Sequence, residues 1–159
     1  LDNFKLKKKY GIFLQKCFNY KFNLFNSYES PWEGTRVCMK KNLKSIDFMR
    51  QKVKVKNLRY NFLRIDKEKS IEVFKDGGWH FNNIMTPEEI SIKLKTFAHS
   101  EFEHPKFSNP EIIKKKIKKK IDLFERGHQY EIVKIDRTFP ENILKEVSIY
   151  ENYIDKEKN

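Results

Sequence analysis

The sequence predicts an α/β fold, and three observations carry that prediction. Apolar and polar residues alternate with period two early in the chain, apolar residues recur at helical spacing from about residue 90 onward, and 14 Phe, 7 Tyr and 2 Trp supply large core side chains. Strands therefore dominate early and helices late. At 159 residues the chain has the length of one ordinary domain. Its mean hydropathy of −0.79 is low, but the aromatic content argues against disorder. No apolar run approaches the roughly 20 residues of a membrane helix, and no charged n-region with an apolar h-region opens the chain, so neither a spanning segment nor a signal peptide is expected. Leu1 stands where a start Met would, which suggests a clipped or partial chain.

Phe18, Tyr20, Phe22 and Leu24 alternate with Asn19, Lys21 and Asn23, the pattern of a half-buried strand. Residues 27–34 hold Ser, Pro and Gly and read as a connection. A return strand over residues 34–40, with Thr35, Val37 and Met39 on one face, makes an early antiparallel pair. Ser45 can cap a short helix through Phe48 and Met49. Residues 52–68 give no clear pattern. Ile71, Val73 and Phe74 form a short strand that runs into Asp76, Gly77 and Gly78. Thr86-Pro87-Glu88-Glu89 is a helix start with a capping box, followed by Ile90, Leu94, Phe97 and Ala98 on one face. That helix should end near Ala98, leaving His99, Glu101 and His104 just beyond it. Ser108-Asn109-Pro110-Glu111 opens another helix, which Gly127 can terminate. The tail after Phe139-Pro140 reads as irregular or briefly helical, fraying from Asp155.

The leading candidate for chemistry is Asp76-Gly77-Gly78-Trp79-His80-Phe81. A Gly-Gly turn lets a ligand approach the backbone, and an indole beside an imidazole offers stacking and hydrogen bonding to a sugar or nucleotide. A tight turn with a core Trp and a satisfied His is the competing reading. His99, Glu101, Glu103 and His104 form a second cluster, able to bind a metal, to act as a base or simply to cap a helix. Cys17 and Cys38 are too few for a disulfide scaffold or a cysteine zinc site and read as small buried hydrophobes, with a single bridge the alternative. The common phosphate-loop, zinc-helix, nucleophile-elbow and dinucleotide signatures are all missing, and no Asp-x-Asp occurs.

Four ordered blocks carry a resemblance. Tyr20-Lys21-Phe22-Asn23, Trp32-Glu33-Gly34-Thr35-Arg36-Val37, Gly77-Gly78-Trp79-His80-Phe81-Asn82 and Lys93-Leu94-Lys95-Thr96-Phe97-Ala98-His99-Ser100-Glu101 resemble glycosyltransferase family 17, over about residues 18–140. That family includes the β-1,4-mannosyl-glycoprotein β-1,4-N-acetylglucosaminyltransferases and bacterial and viral relatives. The resemblance implies the C-terminal portion of a GT-A type fold, a mixed sheet with flanking helices, as a partial transferase domain at 1–140 followed by a tail at 141–159. It implies transfer of a sugar, N-acetylglucosamine in the eukaryotic members, from a UDP donor to a glycan hydroxyl. It also implies Mn²⁺ or Mg²⁺, held mainly by an acidic Asp-x-Asp-Glu-Ile-Pro block that this chain lacks and that is expected upstream of it. A chain without that block is expected to be inactive alone. On this reading Gly77, Gly78, Trp79, His80, Phe81, Asn82 and Trp32 bind donor or acceptor. Glu101 or Asp76 acts as base, and His99 or His80 contacts the metal or diphosphate. The expected compartment is the cytoplasm for a bacterial or viral protein and the Golgi lumen for a eukaryotic one.

Charge supports a rival. Thirty-four Lys and Arg against 22 Asp and Glu give +12, which favours anionic partners, so a basic non-catalytic module for nucleic acid or anionic glycan is the alternative. Arg is scarce, at positions 36, 50, 59, 64, 126 and 137, which disfavours specific base readout. The densest stretch, Lys114 to Lys120, interleaves with Ile113, Ile117, Ile121 and Phe124, and so reads first as the solvated face of an amphipathic helix.

Overall fold

The run Tyr10-Gly11-Ile12-Phe13-Leu14 has no polar alternation, as expected of a strand paired on both sides and covered on both faces. In the computed structural model, which describes residues 5–96 and 104–156, that run opens the first strand. The elements in chain order are β1 (Tyr10–Asn19), β2 (Leu24–Phe25), β3 (Trp32–Cys38), α1 (Ile46–Lys52), β4 (Ile71–Phe74), β5 (Trp79–Asn82), α2 (Pro87–Thr96), α3 (Pro105–Ser108), α4 (Pro110–Lys119), β6 (Glu131–Ile132) and α5 (Glu141–Lys145). The fold is mixed α/β. The chain divides into two compact units, Leu1–Lys16 with Ser30–Trp79 and Cys17–Glu29 with His80–Asn159. No helix among the described residues is long and apolar enough to cross a membrane.

In the first unit β1 is central. It pairs antiparallel with β3, Tyr10 opposite Cys38 and Phe13 opposite Thr35, and the register shifts before Gln15 meets Trp32. On its other side it runs parallel to β4, with Tyr10 opposite Ile71. The expected return strand therefore exists but pairs with Tyr10–Gln15, not with the 18–24 segment. Ser45 caps α1 as its sequence predicts, its hydroxyl accepting the Phe48 N–H at 2.9 Å. Tyr10, Ile12, Met49, Val53 and Ile71 form the core of this unit.

In the second unit the expected 18–24 strand is broken. Tyr20 adopts φ 65°, which a strand cannot accommodate, so β1 ends at Asn19 and the chain turns back. Phe18 then faces Phe25 of β2, and Leu24 and Phe25 pair with Ile132 and Glu131 of β6. Alternation misleads here because a buried turn follows the strand. Tyr20 and Leu24 remain in the core beside Ile90, Leu94, Ile113, Leu123 and Tyr130.

The capping box of α2 is formed reciprocally: the Thr86 N–H donates to Glu89 Oε2 at 2.8 Å and the Glu89 N–H to Thr86 Oγ1 at 3.2 Å. Asn109 caps α4 by accepting the Glu111 N–H at 2.9 Å. The stop of α4 differs from expectation. Lys120, at φ 57° and ψ 38°, ends the helix in the left-handed conformation, and Gly127 lies in a later turn. Ile113 is buried and Ile117 packs at the core's edge as the periodicity predicts, whereas Ile121 has left the helix and bridges to Gln129. One lysine of the run also faces inward. Lys116 is buried, and its Nζ donates to the Leu123 carbonyl at 2.7 Å and to Glu125 at 3.3 Å.

The C-terminal segment is tied to this unit. The Phe22 N–H donates to the Tyr153 carbonyl at 2.8 Å, and Asn23 exchanges two hydrogen bonds with the Asp155 backbone, each 2.8 Å. Asp155, where fraying was expected to begin, is thereby anchored. Cys17 and Cys38 are both free thiols.

Candidate functional site

The Gly-Gly block uses its two glycines for different reasons. A Cβ on Gly77 would lie 2.6 Å from Phe13 Cβ and 2.8 Å from the Leu14 nitrogen, so only glycine allows this close backbone approach. Its N–H donates to the Leu14 carbonyl at 2.9 Å. Gly78 instead supplies φ 98°, and its carbonyl accepts the Lys16 N–H at 3.0 Å. Gln15 is the organiser in this unit. It stands opposite Trp32 in the sheet, donates to the Trp79 carbonyl at 3.3 Å and accepts from Thr35 Oγ1 at 2.8 Å. The Gln15 amide thus links Thr35 of β3 to the Trp79 backbone, while Asp76 is exposed in the bend just before Gly77.

His80, Phe81 and Asn82 belong to the second unit, where all three line a pocket of about 550 Å³, a size suited to a small ligand. Its aromatic wall is built around Phe22, whose ring meets Phe81 edge-on at 5.0 Å and Tyr150 edge-on at 5.3 Å. Tyr153 completes that wall. Opposite in character is Lys93, which also lines the pocket and donates to Asn83 Oδ1 at 2.8 Å. Burial pushes the His80 pKa down, Glu29 opposes the shift, and the Lys93 ammonium adds to it. The shift favours the neutral imidazole at pH 7.

Glu29 is itself fixed, at 2.7 Å from Arg126 Nη1, and accepts the Cys17 thiol at 3.7 Å. Burial first, and Glu29 second, push that thiol pKa up to about 12, which disfavours the thiolate at neutral pH. Arg126 in turn holds Asp122 at 2.6 Å, and Tyr130 donates to the same carboxylate at 3.2 Å.

The predicted residues thus fall into separate places. Trp32, Asp76, Gly77, Gly78 and Trp79 lie in the first unit and His80, Phe81 and Asn82 in the second. His99, Glu101 and Glu103 lie outside the described residues. His104 takes the capping role, its Nδ1 accepting the Lys106 N–H at 3.1 Å at the start of α3. Among the described residues no group of three or more His, Cys, Asp or Glu could hold a metal ion, and the cationic Lys93 near His80 does not suit one. The Mn²⁺ or Mg²⁺ ligand set is therefore not assembled by these residues.

Phe22 and Lys93 are present in the blocks that carry the resemblance, but their pocket role is not visible there. Tyr150 and Tyr153 leave no local signal, because their contact with Phe22 spans most of the chain. No family model, curated protein or solved structure matches the chain.

Proposed function

We propose that the protein is a glycosyltransferase of the family 17 type, transferring a sugar from a nucleotide-diphosphate donor, UDP-N-acetylglucosamine in the first instance, to a hydroxyl of a glycan acceptor. The observation that carries this reading is the pocket of the second unit, which combines aromatic edges with a neutral imidazole, an amide and an ammonium group. Those are the groups that a phosphorylated sugar uses: ring faces for C–H stacking, hydrogen-bond partners for hydroxyls, and a cation for phosphate oxygens. The resemblance of the Gly77–Asn82 block to the family supports it independently.

On this reading His80 and Lys93 contact the diphosphate. The acceptor oxygen forms a bond to the sugar anomeric carbon as the bond to the diphosphate oxygen breaks. A carboxylate, Glu101 or Asp76, takes the acceptor proton, and the nucleoside diphosphate leaves with the bonding electron pair. The family resemblance assigns Trp79 to sugar stacking and Trp32 to donor or acceptor binding.

The test is a screen for hydrolysis and transfer with nucleotide sugars, with and without Mn²⁺, on protein from the complete reading frame. Turnover should depend on the metal and be lost in a Trp79→Ala, His80→Ala variant that keeps its melting temperature. Glu101→Gln with unchanged turnover would remove Glu101 as base. An absence of turnover with every donor overturns the proposal.

A further inference from the structure

A groove of about 1180 Å³ in the second unit has a distinctive charge. Five of its lining residues are lysines, Lys21, Lys114, Lys118, Lys120 and Lys156, and its one carboxylate is Asp155. That carboxylate lies 3.9 Å from Lys120, and Lys156 is paired with Glu151. Lys114 and Lys118, one turn apart on α4, are exposed and pair with no carboxylate among the described residues. Between these cations the floor is apolar, supplied by Ile117, Ile132 and the half-buried ring of Tyr153. Tyr153 and Met85 line both this groove and the pocket that holds His80. A ligand in the groove therefore ends beside the proposed donor site.

We infer that this groove binds an acidic glycan, a chain of sugars bearing carboxylate or sulfate groups, as the acceptor of the transfer reaction. The inference rests on the glycosyltransferase reading above. Lys114 and Lys118 take the anionic groups, and the apolar floor with Tyr153 takes a sugar face. Charge complementarity selects an anion, and the composition of the groove selects a glycan over a nucleic acid. It contains no Arg for bidentate phosphate contacts and no row of exposed rings on which successive bases would stack.

Helical periodicity puts the lysines of Lys114 to Lys120 on a solvated face, and α4 contains its own control. Lys115 and Lys119 are exposed on the same helix but do not line the groove. Binding of a fluorescent chondroitin sulfate hexasaccharide is measured by anisotropy at low salt, with chitohexaose and hexauridylate as competitors. The acidic hexasaccharide should bind more than about tenfold tighter than chitohexaose, and Lys114→Gln with Lys118→Gln should weaken it by about tenfold. Lys115→Gln with Lys119→Gln carries the same charge change and should weaken it less than about twofold. Equal losses in the two pairs would show diffuse attraction and overturn the inference. So would hexauridylate competing as well as the unlabelled hexasaccharide. All four lysines are exposed, and matched melting temperatures confirm folding. Donor hydrolysis, measured without any glycan, separates the two proposals. Hydrolysis without groove binding removes the acidic acceptor alone, whereas groove binding without hydrolysis removes the transferase and leaves a glycan-binding surface.

Discussion

Asp122 is only 3% exposed, yet its carboxylate accepts the backbone N–H groups of Phe124 and Arg126, the Arg126 guanidinium and the Tyr130 hydroxyl. Burial alone would raise its pKa, but the hydrogen bonds and charge of Arg126 outweigh burial and hold it below the usual carboxylate value of 3.8. Its contribution to stability is therefore complete above that value and is lost as pH falls through the lower, folded pKa. Asp122→Ala leaves the Phe124 and Arg126 N–H groups and the Tyr130 hydroxyl without this acceptor, while the partly exposed Arg126 guanidinium keeps Glu29, and it should cost about 2 kcal/mol in urea unfolding at neutral pH. His80 titrates in another window. Its folded pKa lies below the ordinary 6.5, so the unfolded chain takes up the proton first and stability falls as pH drops from about 6.5 toward the folded value. Urea midpoints measured from neutral pH down to about pH 5 should show that decline, and His80→Gln should flatten it.

Among the elements, those with chemical punctuation are legible and those fixed by distant partners are not. Ser45, Thr86-Pro87-Glu88-Glu89 and Asn109-Pro110 announce three helix starts because a cap is a local hydrogen bond. Thr86→Ala removes the hydroxyl that accepts the Glu89 N–H and leaves the backbone half of the α2 box in place; it should cost about 1 kcal/mol by chemical denaturation, whereas Thr86→Ser should cost far less. Helix α4 stops at Lys120 because the following residues have partners elsewhere: Ile121 bridges to Gln129, and the Tyr130 N–H donates to the Lys120 carbonyl at 2.7 Å. No residue-level signal competes with Gly127 for that role. The candidate site divides in the same way. The Gly77–Asn82 block stands out in the sequence, because paired glycines before an aromatic run are locally unusual. The ring wall from Tyr150 and Tyr153 is set by edge-on ring contacts and one backbone hydrogen bond to Phe22, which no local pattern encodes.

On the scale of the whole molecule, the path of the chain matters most. Each unit is made of two separate stretches, and the core of the second needs Tyr20 and Leu24 from its short early stretch. A fragment that begins at His80 lacks both side chains, although it contains every helix of that unit. It should lose near-UV circular dichroism and unfold without a cooperative transition, and a sharp melt like that of the full chain would contradict this. The biosynthetic order follows from the same arrangement. Tyr20 and Leu24 leave the ribosome long before Ile90, Ile113 and Tyr130 are made, and at about 5–20 residues per second the interval is several seconds. Throughout that time their apolar surface has no core to enter, which makes the nascent segment around Phe18–Phe25 a natural client for chaperones that hold emerging chains.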